Sequence, residues 1–265
     1  MPQFPRILLA VSPGSVPPRL PVPFELAHMA YRIGSRCRLL RARPELALNG
    51  GFLMISGAAS SCLGNAERFC QQVVSECRLH LAAGVIANWE LAPQCVPLVT
   101  ELDRALAQAQ LEFWVPEYYA AAAANAKILI SSQLSGGSLS ARLQEALNRW
   151  GHRIALAVEC TPWSFQLPCP SGRGTPLEDG QLQQLIANYN PRLWFSESLC
   201  TQYFTYLKEN QLHLTLFDNG ASIRRKLELA ARRGLSGAIL SWDELKPFAR
   251  ELFSPAQRRS GGNRF

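Results

Sequence analysis

The chain has 265 residues, of which 48% are apolar, and a formal net charge of +7 at pH 7. This length allows one large hydrophobic core, in a single barrel-sized domain or in two smaller ones. No apolar run reaches the roughly 18 to 20 residues that cross a bilayer, so no membrane partner is expected. The apolar run near the start, Ile7–Val11, is too short for a secretory signal, and we therefore expect a cytoplasmic protein.

The basic residues and the cysteines exclude further classes. The arginines between residues 32 and 43 and the basic group at 224–233 are not interleaved with exposed aromatic residues or part of a known motif, so nucleic acid is not an expected partner. The eight cysteines form no CxxC pair, and with four histidines they show no zinc spacing. We expect no metal and no organic cofactor, and scattered free thiols fit a reducing compartment.

Short apolar runs alternate along the chain with amphipathic segments. The runs predict strands at Arg6–Ser12, Gly51–Gly57, Gly84–Trp89, Glu112–Glu117, Lys127–Ser132, Arg153–Glu159, Arg192–Ser196 and Gly237–Trp242. The segments predict helices at Glu25–Ile33, Ala66–His80, Leu98–Ala109, Ser138–Trp150, Gln181–Asn188 and Ile223–Arg233. Apolar strands alternating with helices indicate an α/β fold whose parallel sheet is covered on both faces. Eight such strands favour a (β/α)8 TIM barrel over residues 1–256, with a doubly wound open sheet as the alternative.

Two segments depart from this alternation. Residues 203–207 and 212–217 are apolar and aromatic and flank a polar turn, which predicts a small β-hairpin inserted before the last helix and strand. Residues 257–265 are polar, basic and glycine-containing, and we expect them to form a flexible tail.

The third predicted strand delivers Asn88, Trp89 and Glu90 to its C-terminal end. A parallel barrel keeps its active site at that end. Glu90 is therefore a candidate general acid, and Trp89 is a candidate wall for a flat ligand. The alternative is that Glu90 caps the next segment or pairs with an arginine.

Other predicted strand ends also carry acids, namely Glu117, Glu159 and Glu197, and Asp218 closes the hairpin. Each of them has an alternative role as the partner of an arginine. Aromatic residues accompany the acids at Trp89, Trp114, Tyr118, Tyr119, Trp163 and Trp194, although core packing is the alternative role for these rings. An acid cluster ringed by aromatic faces suits a carbohydrate, because sugar C–H faces stack on rings while a carboxylic acid protonates the leaving oxygen.

The C-terminal part carries a resemblance. The aromatic hairpin, the pair Phe217-Asp218, the Ser222-x-x-x-Lys226 helix and the final strand near Gly237 occur in the order that is typical of glycoside hydrolase family 18. The chain is most similar to the branch of spore-cortex and peptidoglycan N-acetylglucosaminidases. Upstream, Phe69–Glu90 resembles the helix of that family and its Asp-Gly-x-Asp-x-Asp-x-Glu strand. The resemblance covers roughly half of the chain.

The resemblance implies a hydrolase of N-acetylglucosamine-containing glycans, peptidoglycan or chitin-like, with Glu90 as general acid/base. In that family the acetamido group of the substrate attacks the anomeric carbon, and an aspartate two residues before the glutamate holds it. Ala83, Ile86 and Asn88 stand where the family has three aspartates. Asn88 is still expected to orient the acetamido group, since a related family of endo-N-acetylglucosaminidases uses an Asn-x-Glu pair.

The remaining site residues also show departures from the family. We expect substrate contacts from Trp89, Glu117, Tyr118, Glu159, Glu197 and Trp242. Trp242 lies one residue after the usual position of the sugar-stacking tryptophan, where this chain has Ser241. The Tyr-Asp pair expected on the sixth strand is absent from Arg153–Pro162.

Three hypotheses follow. The first is a substrate-assisted glycosidase that uses Glu90 and Asn88. The second is a two-carboxylate glycosidase in which Glu90 pairs with Glu159 or Glu197. The third is a catalytically inactive barrel that binds a glycan or serves as a scaffold.

Overall fold

The computed structural model describes residues 4–15, 17–45, 47–57, 62, 64–178 and 180–253. Eight parallel strands form a closed barrel, so the predicted (β/α)8 TIM barrel is confirmed. In barrel order the strands are β1 (Ile7–Val11), β2 (Glu25–Gly34), β4 (Phe52–Gly57), β5 (Gly84–Trp89), β6 (Glu112–Pro116), β7 (Lys127–Ser131), β8 (Ile154–Val158) and β14 (Ala238–Ser241). The pairing of β1 with both β14 and β2 closes the barrel.

Side chains that point inward fill the barrel. Phe52 and Trp114 meet edge to face with ring centroids 6.0 Å apart, and both rings are fully buried. Apolar residues from the other strands surround them at Leu8, Ala10, Ala27, Ile86, Ala155 and Ile239. Because this packing closes the interior, the free space for a ligand lies at the mouth, beyond the strand ends.

Helices cover the outside of the barrel. Three of them, α1 (Ala66–Leu79), α2 (Val96–Gln108) and α3 (Leu139–Trp150), follow the third, fourth and sixth barrel strands. The seventh strand leads through an inserted sheet to α5 (Gly220–Arg232), and α6 (Trp242–Leu245) and α7 (Ala249–Phe253) follow the last strand. Asn219 and Ser222 form a capping box at the start of α5, which fixes the direction of this helix beneath the inserted sheet.

The segment predicted as a helix at Glu25–Ile33 is the second barrel strand, and that prediction is wrong. Its leucine, alanines and methionine favour a helix locally. The strand instead hydrogen-bonds to β1 and β4 on its two sides, and a register shift between His28 and Tyr31 interrupts the alternation that reveals a strand. It continues into a hairpin with β3 (Arg38–Arg41).

The predicted hairpin is confirmed as β12 (Thr201–Lys208) and β13 (Gln211–Phe217), and it belongs to a larger inserted sheet. This antiparallel sheet also contains β9 (Trp163–Leu167), β10 (Thr175–Pro176) and β11 (Trp194–Ser196). Helix α4 (Gln181–Tyr189) packs on one face through Phe204 and Tyr206. The prediction of a barrel strand at Arg192–Ser196 is therefore wrong, because β11 pairs only with β12 among the described strands.

A disulfide joins Cys62 and Cys95, which corrects the expectation that all the thiols are free. It links the loop after β4 to the turn after β5, near the barrel mouth. The other six cysteines are free thiols.

Replacing both Cys62 and Cys95 by alanine is expected to lower the free energy of unfolding by about 2 to 4 kcal/mol, since the cross-link constrains the unfolded chain. Urea unfolding of the double variant measures this difference, and Cys169→Ala, at a half-buried free thiol, is the matched control. A double variant as stable as the wild type would contradict the prediction.

Among the described residues, no helix is long and apolar enough to cross a membrane. Residues 257–265, predicted as a flexible tail, lie outside the described residues.

Candidate active site at the barrel mouth

A cavity of about 480 Å³ occupies the C-terminal end of the barrel. Ligand pockets commonly have volumes of about 300 to 1,000 Å³. Its floor is apolar and contains Met54, Ile86, Leu129 and Ile239. Its polar wall contains Asn88, Glu117, Tyr118, Glu159, Ser241 and Glu244. We call this cavity the mouth.

The side chains at the end of β5 point alternately into the mouth and into the outer core. Successive residues of a strand point to opposite faces, so Asn88 lines the mouth while Trp89 points outward. The Trp89 ring is 2% exposed and packs edge to face on Phe69 and Tyr119. The predicted ligand wall at Trp89 is therefore corrected, because this ring packs between the barrel and its helices.

Glu90 follows β5 and extends its pairing by one residue. Its backbone N–H donates to the Gly57 carbonyl at 3.2 Å, and its own carbonyl accepts from the Tyr119 hydroxyl at 2.6 Å. These bonds fix the backbone while the side chain is exposed. The alternation of the strand places this side chain on the same side as Asn88, above the lining of the cavity.

Glu117 and Tyr118 come from the turn after β6. Glu117 lines the mouth and forms an ion pair with Arg142 of α3. The Tyr118 hydroxyl donates to the Trp89 carbonyl, which holds its ring at the rim. Burial raises the pKa of Tyr118 to about 12, and the nearby Glu159 and Glu90 carboxylates add to this rise.

Glu159 and Glu244 form an acidic side of the mouth. The Glu244 carboxylate accepts from the Cys160 backbone N–H and from the Thr161 hydroxyl, each at 3.2 Å. Burial raises the pKa of Glu159, and the charge of Glu244 acts in the same direction, while a hydrogen bond with Ser131 opposes them. Glu244 was not predicted, because it lies in a short helix after the last strand and has no recognisable spacing to the other acids.

Two predicted contact residues lie away from the mouth. The Glu197 side chain is 76% exposed, and its carboxylate is 3.6 Å from Arg225. It follows β11, which is not a barrel strand, so this prediction is corrected. Trp242 is 5% exposed and packs in the outer core, whereas Ser241 lines the mouth. The predicted sugar contact at Trp242 is corrected for that reason.

The numbering of the barrel strands in the structure also differs from the numbering predicted from the sequence. The strand carrying Asn88 is the fourth barrel strand, and the sixth is β7, which ends at Ser131 and Ser132. The sixth barrel strand therefore ends in two serines, and the Tyr-Asp pair that the resemblance predicts is not found there.

The Glu159→Gln variant is expected to raise the melting temperature at pH 7 and to leave it unchanged at pH 4. Burial raises the pKa of Glu159 in the folded state above its ordinary value, so at pH 7 the ionised carboxylate is less favourable in the folded than in the unfolded state and destabilises the fold. At pH 4 the carboxyl is mostly protonated in both states and this cost largely disappears. We expect a gain of at most about 1 kcal/mol, because the side chain reaches water in the cavity. Thermal unfolding at both pH values measures it, with Glu145→Gln on the exposed side of α3 as control. A lower melting temperature for Glu159→Gln at pH 7 would contradict the assignment.

No protein-family model and no curated protein matches the sequence. Solved structures do match, several of them across nearly the whole chain. The spore cortex-lytic enzyme SleL of Bacillus megaterium QM B1551 is 14% identical, with 96% of this chain and 75% of that chain covered and a TM-score of 0.63. A chitinase from Chromobacterium violaceum ATCC 12472 is 13% identical, with 95% and 99% covered and a TM-score of 0.61. The glycoside hydrolase family 18 N-acetylglucosaminidase from Paenibacillus barengoltzii is 10% identical, with 94% and 98% covered and a TM-score of 0.61.

The chain therefore has a glycoside hydrolase family 18-like fold. Within that class, its structural neighbours include the spore cortex-lytic enzymes, as the sequence resemblance indicated. At these identities the likeness shows the fold alone, because one fold can carry many different activities.

Proposed function

We propose that the mouth binds a glycan containing N-acetylglucosamine, and that Glu90 and Asn88 hydrolyse it. One observation carries this proposal: Asn88 lines the cavity at the end of the fourth barrel strand. Glu90 lies two residues later, exposed and outside the lining, and the alternation of the strand directs its side chain to the same side. In the Asp-x-Glu motif that the sequence resembles, the first residue holds the acetamido group and the last is the acid. Asn88 and Glu90 correspond to these two positions.

The chemistry needs one proton donor and one group that orients the acetamido arm. The acetamido oxygen forms a bond to the anomeric carbon while the glycosidic bond breaks, and the leaving oxygen takes the Glu90 proton. Water then attacks the anomeric carbon, the bond from that carbon to the acetamido oxygen breaks, and one proton of the water passes to Glu90. The Asn88 amide hydrogen-bonds the acetamido group, but as a neutral group it does not offset the positive charge that develops on it, so we expect slow turnover.

Glu159 is the alternative acid. It lines the mouth, and its raised pKa suits a group that must hold a proton near neutral pH. This arrangement corresponds to a two-carboxylate glycosidase in which Glu90 is the second acid.

Glycan binding without hydrolysis is the second candidate function. It is favoured by the exposure of Glu90 and by the absence of carboxylates at Ile86, Asn88, Ser131 and Ser132, where the family-like arrangement places its assisting groups. Such a mouth still binds a glycan but lacks the groups that accelerate its hydrolysis.

The experiment measures binding and cleavage of N-acetylchitotetraose with the same protein sample. Calorimetry gives Kd, and chromatography of the products gives the rate. The hydrolase proposal predicts both binding and shorter products, whereas the second candidate predicts binding with the tetrasaccharide intact. A tetrasaccharide that does not bind at millimolar concentration would contradict both.

A further inference from the structure

A second cavity of about 480 Å³ lies between the inserted sheet and the barrel, and we call it the inner chamber. Its roof consists of side chains on the barrel-facing side of the sheet, Trp163, Phe165 and Leu216. Trp163 and Leu216 are directly paired across β9 and β13, so their side chains share this face. The loop after β7, residues 132–135, forms the opposite wall.

Glycines allow the rim of the chamber to close. A Cβ atom on Gly172 would lie 3.3 Å from the Ser135 hydroxyl oxygen, and Gly172 has a positive φ of 61°. A Cβ atom on Gly174 would lie 2.7 Å from the Phe165 ring. At Gly174, therefore, only a residue without a side chain lets the turn approach the Phe165 ring so closely. Arg173 lies between these glycines, is exposed and lines the chamber.

The chamber and the mouth differ in charge. At the floor of the chamber the Lys226 ammonium donates to the Asp218 carboxylate at 2.6 Å, so these two charges offset each other. The second Asp218 oxygen accepts from the Ser222 hydroxyl at 2.6 Å. Arg173 belongs to none of the ion pairs found among the described residues. Its positive charge is therefore not offset and determines the net charge of the chamber. The mouth, in contrast, presents the acids Glu159 and Glu244.

A thin wall separates the two cavities. Ser131 lines the mouth and its neighbour Ser132 lines the chamber. The Thr161 hydroxyl, which lines the chamber, donates to Glu244, which lines the mouth. The two cavities are therefore neighbours, and a sugar in the mouth lies beside the chamber.

We propose that the inner chamber binds a carboxylate-bearing acyl or peptidyl substituent of the glycan, with Arg173 on the carboxylate and Trp163 and Phe165 against the apolar part. This inference rests on the proposed function for the sugar and adds a second site for its substituent. A guanidinium binds a carboxylate through paired hydrogen bonds, and an apolar roof with one free cation excludes an unpaired ammonium group.

The test compares two probes on the full chain, N,N'-diacetylchitobiose and N-acetylmuramyl-L-alanyl-D-isoglutamine, the second of which carries one carboxylate at the end of its peptidyl arm. We expect the peptidyl probe to bind about tenfold more tightly, a difference that Arg173→Gln removes while leaving Kd for chitobiose unchanged. Leu216→Trp, which fills the chamber, is expected to have the same effect. Arg192→Gln, at an exposed arginine stacked on Trp194 elsewhere in the insertion, is the control.

A peptidyl probe that binds no more tightly than chitobiose would overturn the inference, as would an Arg173→Gln variant with unchanged affinity. If chitobiose does not bind but the peptidyl probe binds and depends on Arg173, the chamber is supported and the proposed function of the mouth fails. Arg173 is exposed, so Arg173→Gln is expected to fold. The inference can therefore be tested with this variant even if Leu216→Trp does not fold.

Discussion

Replacing Glu90 by glutamine is expected to lower kcat/KM for hydrolysis of N-acetylchitotetraose by about 10² to 10⁴-fold, the usual contribution of a general acid. Glutamine keeps the size of the side chain and has no proton to give to the leaving oxygen. Because the acid acts mainly in the transition state, Kd for the tetrasaccharide is expected to stay within about twofold of the wild-type value.

The matched control is Glu67→Gln, which makes the same change at an exposed position on α1. Glu159→Gln belongs in the same series, because a loss there with Glu90→Gln unaffected would move the acid role to Glu159. Hydrolysis that persists unchanged in both variants would contradict a carboxylate mechanism at the mouth.

Replacing Lys226 by methionine is expected to lower the free energy of unfolding by about 3 to 5 kcal/mol. The Lys226 and Asp218 side chains are only 2% and 6% exposed, and their charged atoms are 2.6 Å apart. Removing the ammonium leaves a buried carboxylate whose remaining partners are the hydroxyls of Ser222 and Thr201. Urea unfolding at constant slope measures the loss.

Two further variants isolate the cause. The double change of Lys226 to methionine and Asp218 to leucine is expected to recover most of the loss, because a buried ion pair and an apolar pair of similar volume are often equally stable. Arg104→Ala, which breaks the exposed pair with Glu101, is expected to cost less than about 1 kcal/mol. A Lys226→Met variant that is no less stable than Arg104→Ala would contradict the structural role of the pair.

Much of the barrel could be predicted, because its strands are continuous apolar runs. Ile154–Val158 and Ala238–Ser241 are of this kind, and the structure places both in the barrel. The strand Glu25–Gly34 could not be recognised, since its composition favours a helix and only pairing with β1 and β4 decides its conformation. In the same way, the polar strand Trp163–Leu167 is specified by its partner β13.

The candidate site was predicted in part. Asn88 and Glu117 line the mouth, as strand ends in a barrel require. The alternation of the strand implies that Trp89 points away from a cavity that Asn88 faces. The position of Glu244 and the inner chamber depend on the packing of segments that are distant in sequence, so no local sequence pattern predicts them.

The proposed function requires that the mouth recognises the acetamido group of a glycan through Asn88. The most direct measurement compares Kd for N-acetylchitotetraose and for cellotetraose, which lacks the acetamido groups, in the wild type and in Asn88→Ala. We predict that the wild type binds the acetylated sugar at least about tenfold more tightly and that Asn88→Ala removes this preference. Equal affinity for the two sugars in the wild type, or a preference that survives in Asn88→Ala, would contradict the account.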